Sequence, residues 1–302
     1  MSPAPAVPVL SRERSAGAER PFRGIFLVLL AVGLFSVMDA LSKLLAARLD
    51  PVEVVWGRYL AILVLLAPLV ARRPLLLVTA QRGLQLQRAV AVLAAALLFI
   101  FGLQRLALAD ATAIGFASPL IVTALSIPLL GEQVGLRRWS AVGVGFLGVL
   151  IVVRPGSGAI GWAALLPLFS AACWAYGIVL TRRMGGAERP LTTLVYSSTI
   201  GFVLSSLALP FVWLKPSLAD CAIMAAMAVL SAGGQYLFIA GLAHGAASLL
   251  APFSYSQMIW STLMGYLVFA AVPGLSTWCG AVLVVGSGVY IAHRERVRAR
   301  HR

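Results

Sequence analysis

The stretch that decides the fold reads Leu-Phe-Ile-Phe-Gly-Leu at residues 98–103. It returns as Leu-Phe-Ile-Ala-Gly-Leu at residues 237–242, displaced by 139 positions. Pro51 and Pro190 are separated by the same displacement. A constant displacement between matching residues indicates that one half-length unit is written twice along the chain.

The composition places this repeated unit in a membrane. Of the 302 residues, 61% are hydrophobic and only 11% are charged, which is more apolar surface than a soluble domain can bury. Lipid permits only helices or closed barrels, because every backbone N–H and C=O must be paired within the protein. The apolar runs are continuous rather than alternating, and many reach the ~20 residues that a membrane helix needs. The sequence therefore predicts an all-α polytopic membrane protein.

Ten apolar segments are predicted to cross the bilayer: 22–46, 51–71, 83–106, 110–130, 136–154, 159–181, 190–214, 217–241, 246–270 and 274–292. We divide the chain at its repeat into a disordered cytoplasmic tail, a first five-helix repeat, a second five-helix repeat and a basic cytoplasmic tail. These units are residues 1–21, 22–155, 156–292 and 293–302.

Charge sets the orientation of this plan. Three in four of the 24 Lys and Arg residues fall in or near the loops and tails on one side of the predicted membrane. The side with the excess of Lys and Arg faces the cytoplasm. We therefore predict a multi-pass protein of the bacterial inner membrane with both termini cytoplasmic. The net charge of +14 is explained by this topological signal, so nucleic acid is not expected as a partner. Five spans are an odd number, so the two halves are inverted relative to each other, a common plan for transporters.

The segments carry a family resemblance. The second span opens with Pro51 and continues to Trp56-Gly57-Arg58, and the fourth ends Leu130-Gly131-Glu132. In tandem five-helix units these features resemble the EamA family of the drug/metabolite transporter superfamily, over about residues 22–292. The resemblance implies a metabolite transporter and does not name the substrate.

Two further stretches narrow the resemblance to one bacterial branch. Met38-Asp39-Ala40 with Lys43, and Ala-Pro-Phe-Ser-Tyr at residues 251–255, are similar to a branch that includes amino-acid exporters of the YddG type and riboflavin carriers. The second half departs from the family pattern. Ala270-Ala271 stands where Gly-Glu would be, and Ser197 stands opposite Arg58.

Three charges within the apolar segments are candidates for a gate or for coupling: Asp39, Lys43 and Arg58. Charge inside a bilayer is expensive and usually pairs or lines a cavity. Asp39 and Lys43 share one helix face, and Arg58 lies about 10 Å below the outer surface, at a depth similar to that of Asp39. One interpretation is an outer ionic latch or a carboxylate that senses a coupling proton. The other is a static pair between spans one and two, with Lys43 extending outward.

Polar stripes and aromatic residues away from the segment ends predict a substrate cavity. Ser and Thr on membrane helices can instead pack or bond to a carbonyl one turn back. The predicted cavity residues are Phe99, Trp174, Tyr176, Tyr196, Gln235, Phe238, Ser254, Tyr255, Gln257 and Trp260. Such a polar and aromatic lining with few fixed charges suits an amphiphilic or zwitterionic solute.

Several motifs are excluded. Residues 143–148 match GxGxxG, but no strand precedes them, so close helix packing explains the glycines better than a nucleotide site. The three cysteines all lie in apolar segments and give neither a disulfide framework nor a metal site. We therefore predict no enzyme activity, no catalytic residue, no cofactor and no metal. The expected partners are a small-molecule substrate and the lipid bilayer, with a monomer as the expected state.

The resulting hypothesis is an inner-membrane transporter of small organic metabolites that works by alternating access. Export of amino acids, including aromatic ones, is the first interpretation, in line with the resemblance. Import of a vitamin or nucleotide-like metabolite such as riboflavin is the alternative. A membrane enzyme or scaffold without transport activity is a more distant one, because an enzyme would need clustered titratable groups and a scaffold would not need inward polar stripes.

Overall fold

Helices account for most of the described residues. The computed structural model describes residues 10–131, 136–153, 161–184, 188, 190–243, 253 and 255–300. These residues form the α-helices α1 Leu10–Ala46, α2 Pro51–Arg72, α3 Arg82–Leu103, α4 Leu108–Gly115, α5 Ser118–Leu130, α6 Leu136–Val153, α7 Leu165–Arg183, α8 Pro190–Ala208, α9 Leu218–Ala243, α10 Gln257–Phe269 and α11 Leu275–Arg300. Short 3₁₀ turns occupy Pro74–Leu77, Gly161–Ala164 and Leu209–Phe211. No strand occurs in the described ranges, which confirms the predicted fold class.

Seven helical stretches in the described residues are long and apolar enough to cross a membrane: Arg23–Ala46, Pro51–Arg72, Arg82–Leu103, Leu108–Leu130, Gly161–Thr181, Leu191–Phe211 and Leu218–Phe238. Two shorter apolar helices, Trp139–Val153 and Leu275–Tyr290, correspond to predicted spans five and ten. Helix α10 lies in the ninth. The described helices thus fit the ten predicted segments.

The first helix begins earlier than the sequence predicted. It starts at Leu10, so residues 10–21 are helical, although we expected a disordered tail there. This part is rich in Ala, Arg and Glu, which are strong helix formers, and it continues the helix of the first span. Residues 1–9 of the predicted tail lie outside the described residues.

The fourth span is broken at its centre, where the sequence predicted an uninterrupted helix. Helix α4 ends at Gly115, and α5 begins at Ser118 after a turn. Pro119 has no N–H to donate to the carbonyl one turn back, and its ring disfavours a continuous helix. The ninth span has an equivalent turn at Tyr255 and Ser256, directly before α10.

The two halves repeat each other in register. Both ends of α5 and both ends of α10 are displaced by the same 139 residues that separate the sequence repeats. Each of the two helices ends on a left-handed residue, Gly131 with φ 70° and Ala270 with φ 50°. The left-handed region favours glycine, so Ala270 keeps the backbone of the repeat at some cost in strain. These features fit the predicted inverted repeat.

Most helix packing joins one repeat to the other. Helix α1 packs on α9, and its repeat counterpart α7 packs on α3. Helices α2 and α8 pack on each other, as do α6 and α11. Each of these four helices therefore packs on its own counterpart in the other repeat. A Cβ on Gly148 of α6 would lie 2.7 Å from the Gly280 carbonyl of α11. The glycines of the GxGxxG stretch therefore serve helix packing in part, as predicted.

Candidate functional site

A carboxylate lies at the contact of α1 with α10. Asp39 is buried, and one of its oxygens accepts a hydrogen bond from Nε2 of Gln257 at 3.3 Å. The hydroxyl of Ser36, one turn earlier, donates to the Val32 carbonyl at 3.0 Å and to the Gln257 carbonyl at 3.4 Å. The polar face of α1 therefore meets the first residue of the half-helix that follows the break in span nine.

Arg58 lies close to this contact without forming an ion pair. It acts electrostatically on Asp39, while its Nη1 is 3.9 Å from the sulfur of Met38. Its guanidinium also lies 5.3 Å from the ring centroid of the neighbouring Tyr59. Within the described ranges, the salt bridge that forms is between Arg48 and Asp220. The structure thus places Asp39 and Arg58 near each other, as predicted, but holds no direct ionic latch between them.

Lys43 has a different environment from the other two candidate charges. Its Nζ donates to the carbonyl of Leu103 at 2.9 Å and to the carbonyl of Leu106. It also lies 5.5 Å from the ring centroid of Phe269. A cation at the last carbonyls of a helix satisfies them and complements the helix dipole. Lys43 therefore closes the end of α3.

Aromatic side chains line the same side of the bundle. The rings of Phe35 on α1 and Phe238 on α9 lie 6.4 Å apart at a tilted angle. Trp260 on α10 is partly exposed and is the nearest side chain to Gly33 of α1. These aromatics and the polar contact of Asp39 are brought together by α1, α9 and α10.

The two helix breaks meet at one aromatic pair. Phe116 in the first repeat and Tyr255 in the second have their ring centroids 5.2 Å apart, edge to face. The two residues are displaced by 139 positions, so they are repeat counterparts in contact and lie next to the pseudo-twofold axis. Helices α5 and α10 both begin at these breaks. Discontinuous helices of this kind form substrate sites in several transporter folds.

Two of the other predicted cavity residues, Tyr176 and Tyr196, bind neighbouring helices and turns, while Phe99 packs against the cluster that holds Phe116 and Tyr255. The Tyr176 hydroxyl donates to Oε1 of Gln87 at 3.0 Å, and the Tyr196 hydroxyl donates to the Leu77 carbonyl at 2.8 Å. Both tyrosines therefore tie α7 and α8 to the beginning of α3 and to the turn before it. The remaining residues are Phe99, half-buried near Gly115, Trp174, 40% exposed on α7, and Gln235, half-buried on α9. Ser254 lies outside the described residues.

A polar contact surface between α3 and α8, which we call the α3–α8 seam, was missed by the sequence analysis. Nε2 of Gln85 donates to the Thr193 hydroxyl at 3.1 Å, and Nη1 of Arg88 donates to the Ser197 hydroxyl at 2.6 Å. In the sequence, Arg88 had counted only as a topological charge. The available signal was spacing, because Gln85 and Arg88 share one face of α3 while Thr193 and Ser197 share one face of α8.

Comparison with known proteins decides the family. The EamA-like transporter family matches residues 22–154 and again residues 161–292. The chain belongs to the EamA-like transporter family. The two matches correspond to the two structural repeats, so this EamA-like chain contains the family domain twice.

Relatives of this EamA-like chain transport several metabolites. A riboflavin transporter of Rhizobium johnstonii is 32% identical over 67% of each chain. An S-adenosylmethionine uptake transporter of Rickettsia bellii is 27% identical over 90% of this chain and 94% of its own length. A pseudopaline exporter of Pseudomonas aeruginosa is 27% identical over 90% of this chain and 97% of its own. Together with the fold, they support a multi-pass membrane transporter of small metabolites.

A solved structure shares the fold. A chain described only as "Crystal structure of protein" matches with a TM-score of 0.63 at 17% identity, covering 92% of this chain and 98% of that one. At this identity the likeness concerns the arrangement of helices alone.

Proposed function

We propose that this EamA-like protein carries a small organic solute with a planar aromatic portion and an amino group through the bacterial inner membrane by alternating access. The observation that supports this is the buried Asp39–Gln257 contact at the beginning of a half-helix, beside Phe35 and Phe238. A carboxylate inside a membrane requires a partner, and Gln257 offers only a neutral amide. Arg58 acts on Asp39 without forming an ion pair, so a substrate ammonium would supply the direct ionic contact, and the rings would stack on its aromatic portion.

Amino acids, including aromatic ones, are the solute class we favour, and export is the direction we favour. The relatives named for S-adenosylmethionine support a methionine-based solute as part of that class. Riboflavin import is the second candidate, and the riboflavin transporter at 32% identity supports it. The named relatives include both uptake systems and an exporter, so relatedness does not fix the direction.

Alternating access follows from the inverted repeat in this proposal. The seam between α3 and α8 and the seam between α9 and α2 are repeat counterparts, so they belong to opposite ends of the bundle. With both termini cytoplasmic, the α3–α8 seam is the cytoplasmic one. Opening one seam while the other closes would expose the Asp39 region to each side in turn.

Flux through purified protein in proteoliposomes tests this proposal. The panel is radiolabelled tryptophan, methionine, riboflavin and S-adenosylmethionine, each tested with and without proton and sodium gradients. We expect Asp39→Asn to reduce flux of the transported solute about tenfold or more, the size of a lost charged hydrogen bond. The matched control is Asp50→Asn, because Asp50 caps α2 through the Val52 N–H at 2.8 Å and Asn caps equally well.

Protein yield and melting temperature of both variants should match those of the unaltered protein. Undiminished flux in Asp39→Asn would remove Asp39 from the site. No flux of any solute under any gradient would contradict the proposed substrate classes.

A further inference from the structure

A second arginine lies inside the membrane-spanning part of the protein, on α3. Arg88 donates from Nε to the Thr181 hydroxyl of α7 at 2.7 Å and from Nη1 to the Ser197 hydroxyl of α8 at 2.6 Å. Its guanidinium therefore bridges from the first repeat to two helices of the second. Both acceptors are neutral hydroxyls, so they orient the cation without neutralising it.

No carboxylate balances this charge in the part of the chain that the structure describes. The salt bridge found there is Arg48–Asp220. Glu188, at the beginning of α8, accepts instead from the Thr79 hydroxyl at 2.5 Å. Arginine stays protonated in proteins, and a charge at membrane depth normally has a counter-charge. Arg88 thus keeps a positive charge at the interface of the two repeats.

Tyr59 supplies a second unsatisfied donor at this interface. Its side chain is 5% exposed, and its hydroxyl interacts with the Arg58 side chain but has no acceptor for its proton among the described residues. Its ring packs on α8 at Gly201, where a Cβ would lie 2.5 Å from the ring. Both Arg58 and Arg88 act on the Tyr59 hydroxyl electrostatically. Buried polar groups in native proteins are usually paired, so a phenol proton without an acceptor and a guanidinium without a counter-charge indicate an acceptor that binds from outside the chain.

Packing alone does not require this chemistry. The repeat counterparts of Gln85 and Arg88 are Met224 and Met227 on α9, each displaced by 139 residues. Both methionines are buried against α2 in an apolar cluster. The corresponding helix α9 therefore carries methionine at both positions, and the cation of the other repeat is Arg58 of α2, the counterpart of Ser197. Helix packing at the position of Arg88 thus does not require a cation.

We infer that Arg88 and the Tyr59 hydroxyl form a binding station for an anionic group of the transported solute, a carboxylate or a phosphate. The guanidinium has five N–H donors in a planar fork that matches such groups, and its two hydroxyl contacts use two of them. The inference rests on the proposed transport function and adds to it. Asp39 would select the amino group of the solute, and Arg88 would select its anionic group.

Matched ligand pairs test this station in detergent-purified full-length protein. Each pair differs by one anionic group: tryptophan and tryptamine, nicotinate and nicotinamide, riboflavin 5′-phosphate and riboflavin. Binding is measured as ligand-dependent thermal stabilisation, because a ligand that binds the folded state raises the unfolding temperature. We expect the anionic member of at least one pair to bind about tenfold or more tightly, the size of one charged hydrogen bond.

Arg88→Met is the main variant, because the repeat counterpart already holds methionine at this position. It should abolish the preference for the anion. Arg88→Lys should keep part of it, since it retains the charge but loses the planar fork. The matched control is Arg82→Met, which removes an exposed arginine from the same helix and should leave the preference intact. Tyr59→Phe removes only a hydroxyl and should reduce the preference for the anion several-fold. This variant replaces Arg88→Met in the test if Arg88→Met does not fold.

The outcomes separate the two proposals. Preference in the tryptophan or nicotinate pair assigns a carboxylate, and preference in the riboflavin pair assigns a phosphate. Equal binding within all three pairs overturns the station. An unchanged preference in Arg88→Met also overturns it. If that variant does not fold, an unchanged preference in Tyr59→Phe does so. Flux in proteoliposomes without any anion preference would leave the proposed transport standing and remove the station. Anion preference without flux of any solute would leave the anion site standing and contradict the proposed transport.

Discussion

The α3–α8 seam and the α9–α2 seam are the same piece of backbone placed at opposite ends of the bundle, yet their chemistry differs. In the first, Gln85 hydrogen-bonds to Thr193 at 3.1 Å. In the second, the counterparts of these two residues are Met224 and Val54, which share an apolar cluster. Duplication has therefore preserved helix geometry while the side chains between the helices have diverged.

This difference shows how a symmetric scaffold can hold an asymmetric site. Apolar contacts are non-directional, so methionine fills the second seam wherever its flexible side chain fits. Hydrogen bonds are directional and leave polar atoms that need partners, as the unpaired Oε1 of Gln85 and Oγ of Ser198 show among the described residues. The first seam therefore offers polar groups from both of its helices, whereas the second pairs the methionines of α9 with a face of α2 that holds Val54 and Arg58.

The largest expected effect concerns the apolar seam. Met227 is fully buried, so Met227→Ala should lower the free energy of unfolding by about 2–5 kcal/mol through lost contacts and a cavity. Val229, two residues along the same helix, is 58% exposed, and Val229→Ala should have little effect. Unfolding in detergent micelles with increasing SDS measures both variants. A loss below about 1 kcal/mol for Met227→Ala would mean that this seam contributes little to holding the repeats together.

An intermediate effect is expected at the polar seam. Gln85→Met leaves the Thr193 hydroxyl without its donor and should cost about 1–3 kcal/mol. Adding Thr193→Val should restore most of this loss, because the double variant reproduces the apolar pair of the other seam. A double-mutant cycle on unfolding free energies gives the coupling between the two positions. If the two losses simply add, the seams are not interchangeable in packing.

The smallest effect is expected at the salt bridge beside the α9–α2 seam. Arg48 is 63% exposed, and the buried Asp220 also accepts hydrogen bonds from the Ser217 backbone N–H and hydroxyl. Arg48→Met should therefore cost only about 0–1 kcal/mol, and the difference should shrink at high salt. Unfolding at low and high ionic strength measures it. A larger loss that is insensitive to salt would show that this ion pair closes the seam.

Parts of the candidate site could be predicted from the sequence. Asp39, Arg58, Gln257 and Phe238 were singled out because charge, amide and ring stand out in an apolar segment, and the structure brings them to one region. Tyr176 and Tyr196 stood out equally but bind the beginning of α3 and the turn before it. A tyrosine that lines a cavity and a tyrosine that hydrogen-bonds to a neighbouring helix look the same in a single sequence. Residue type alone could therefore not separate the two roles.

The sequence by itself determined the number of apolar segments, their approximate ends and the repeat that relates them. The physical reason is that membrane helices pair their backbone groups locally, so length and apolarity are sufficient to define each one. Tertiary structure alone decided that Lys43 closes α3, that Asp39 meets Gln257 and that Arg88 bridges the two repeats. Each of these contacts joins residues far apart in the chain, and a local pattern does not encode which distant helix will face a given side chain. The repeated helices could therefore be predicted from the sequence, while the asymmetric site depends on how the two repeats pack against each other.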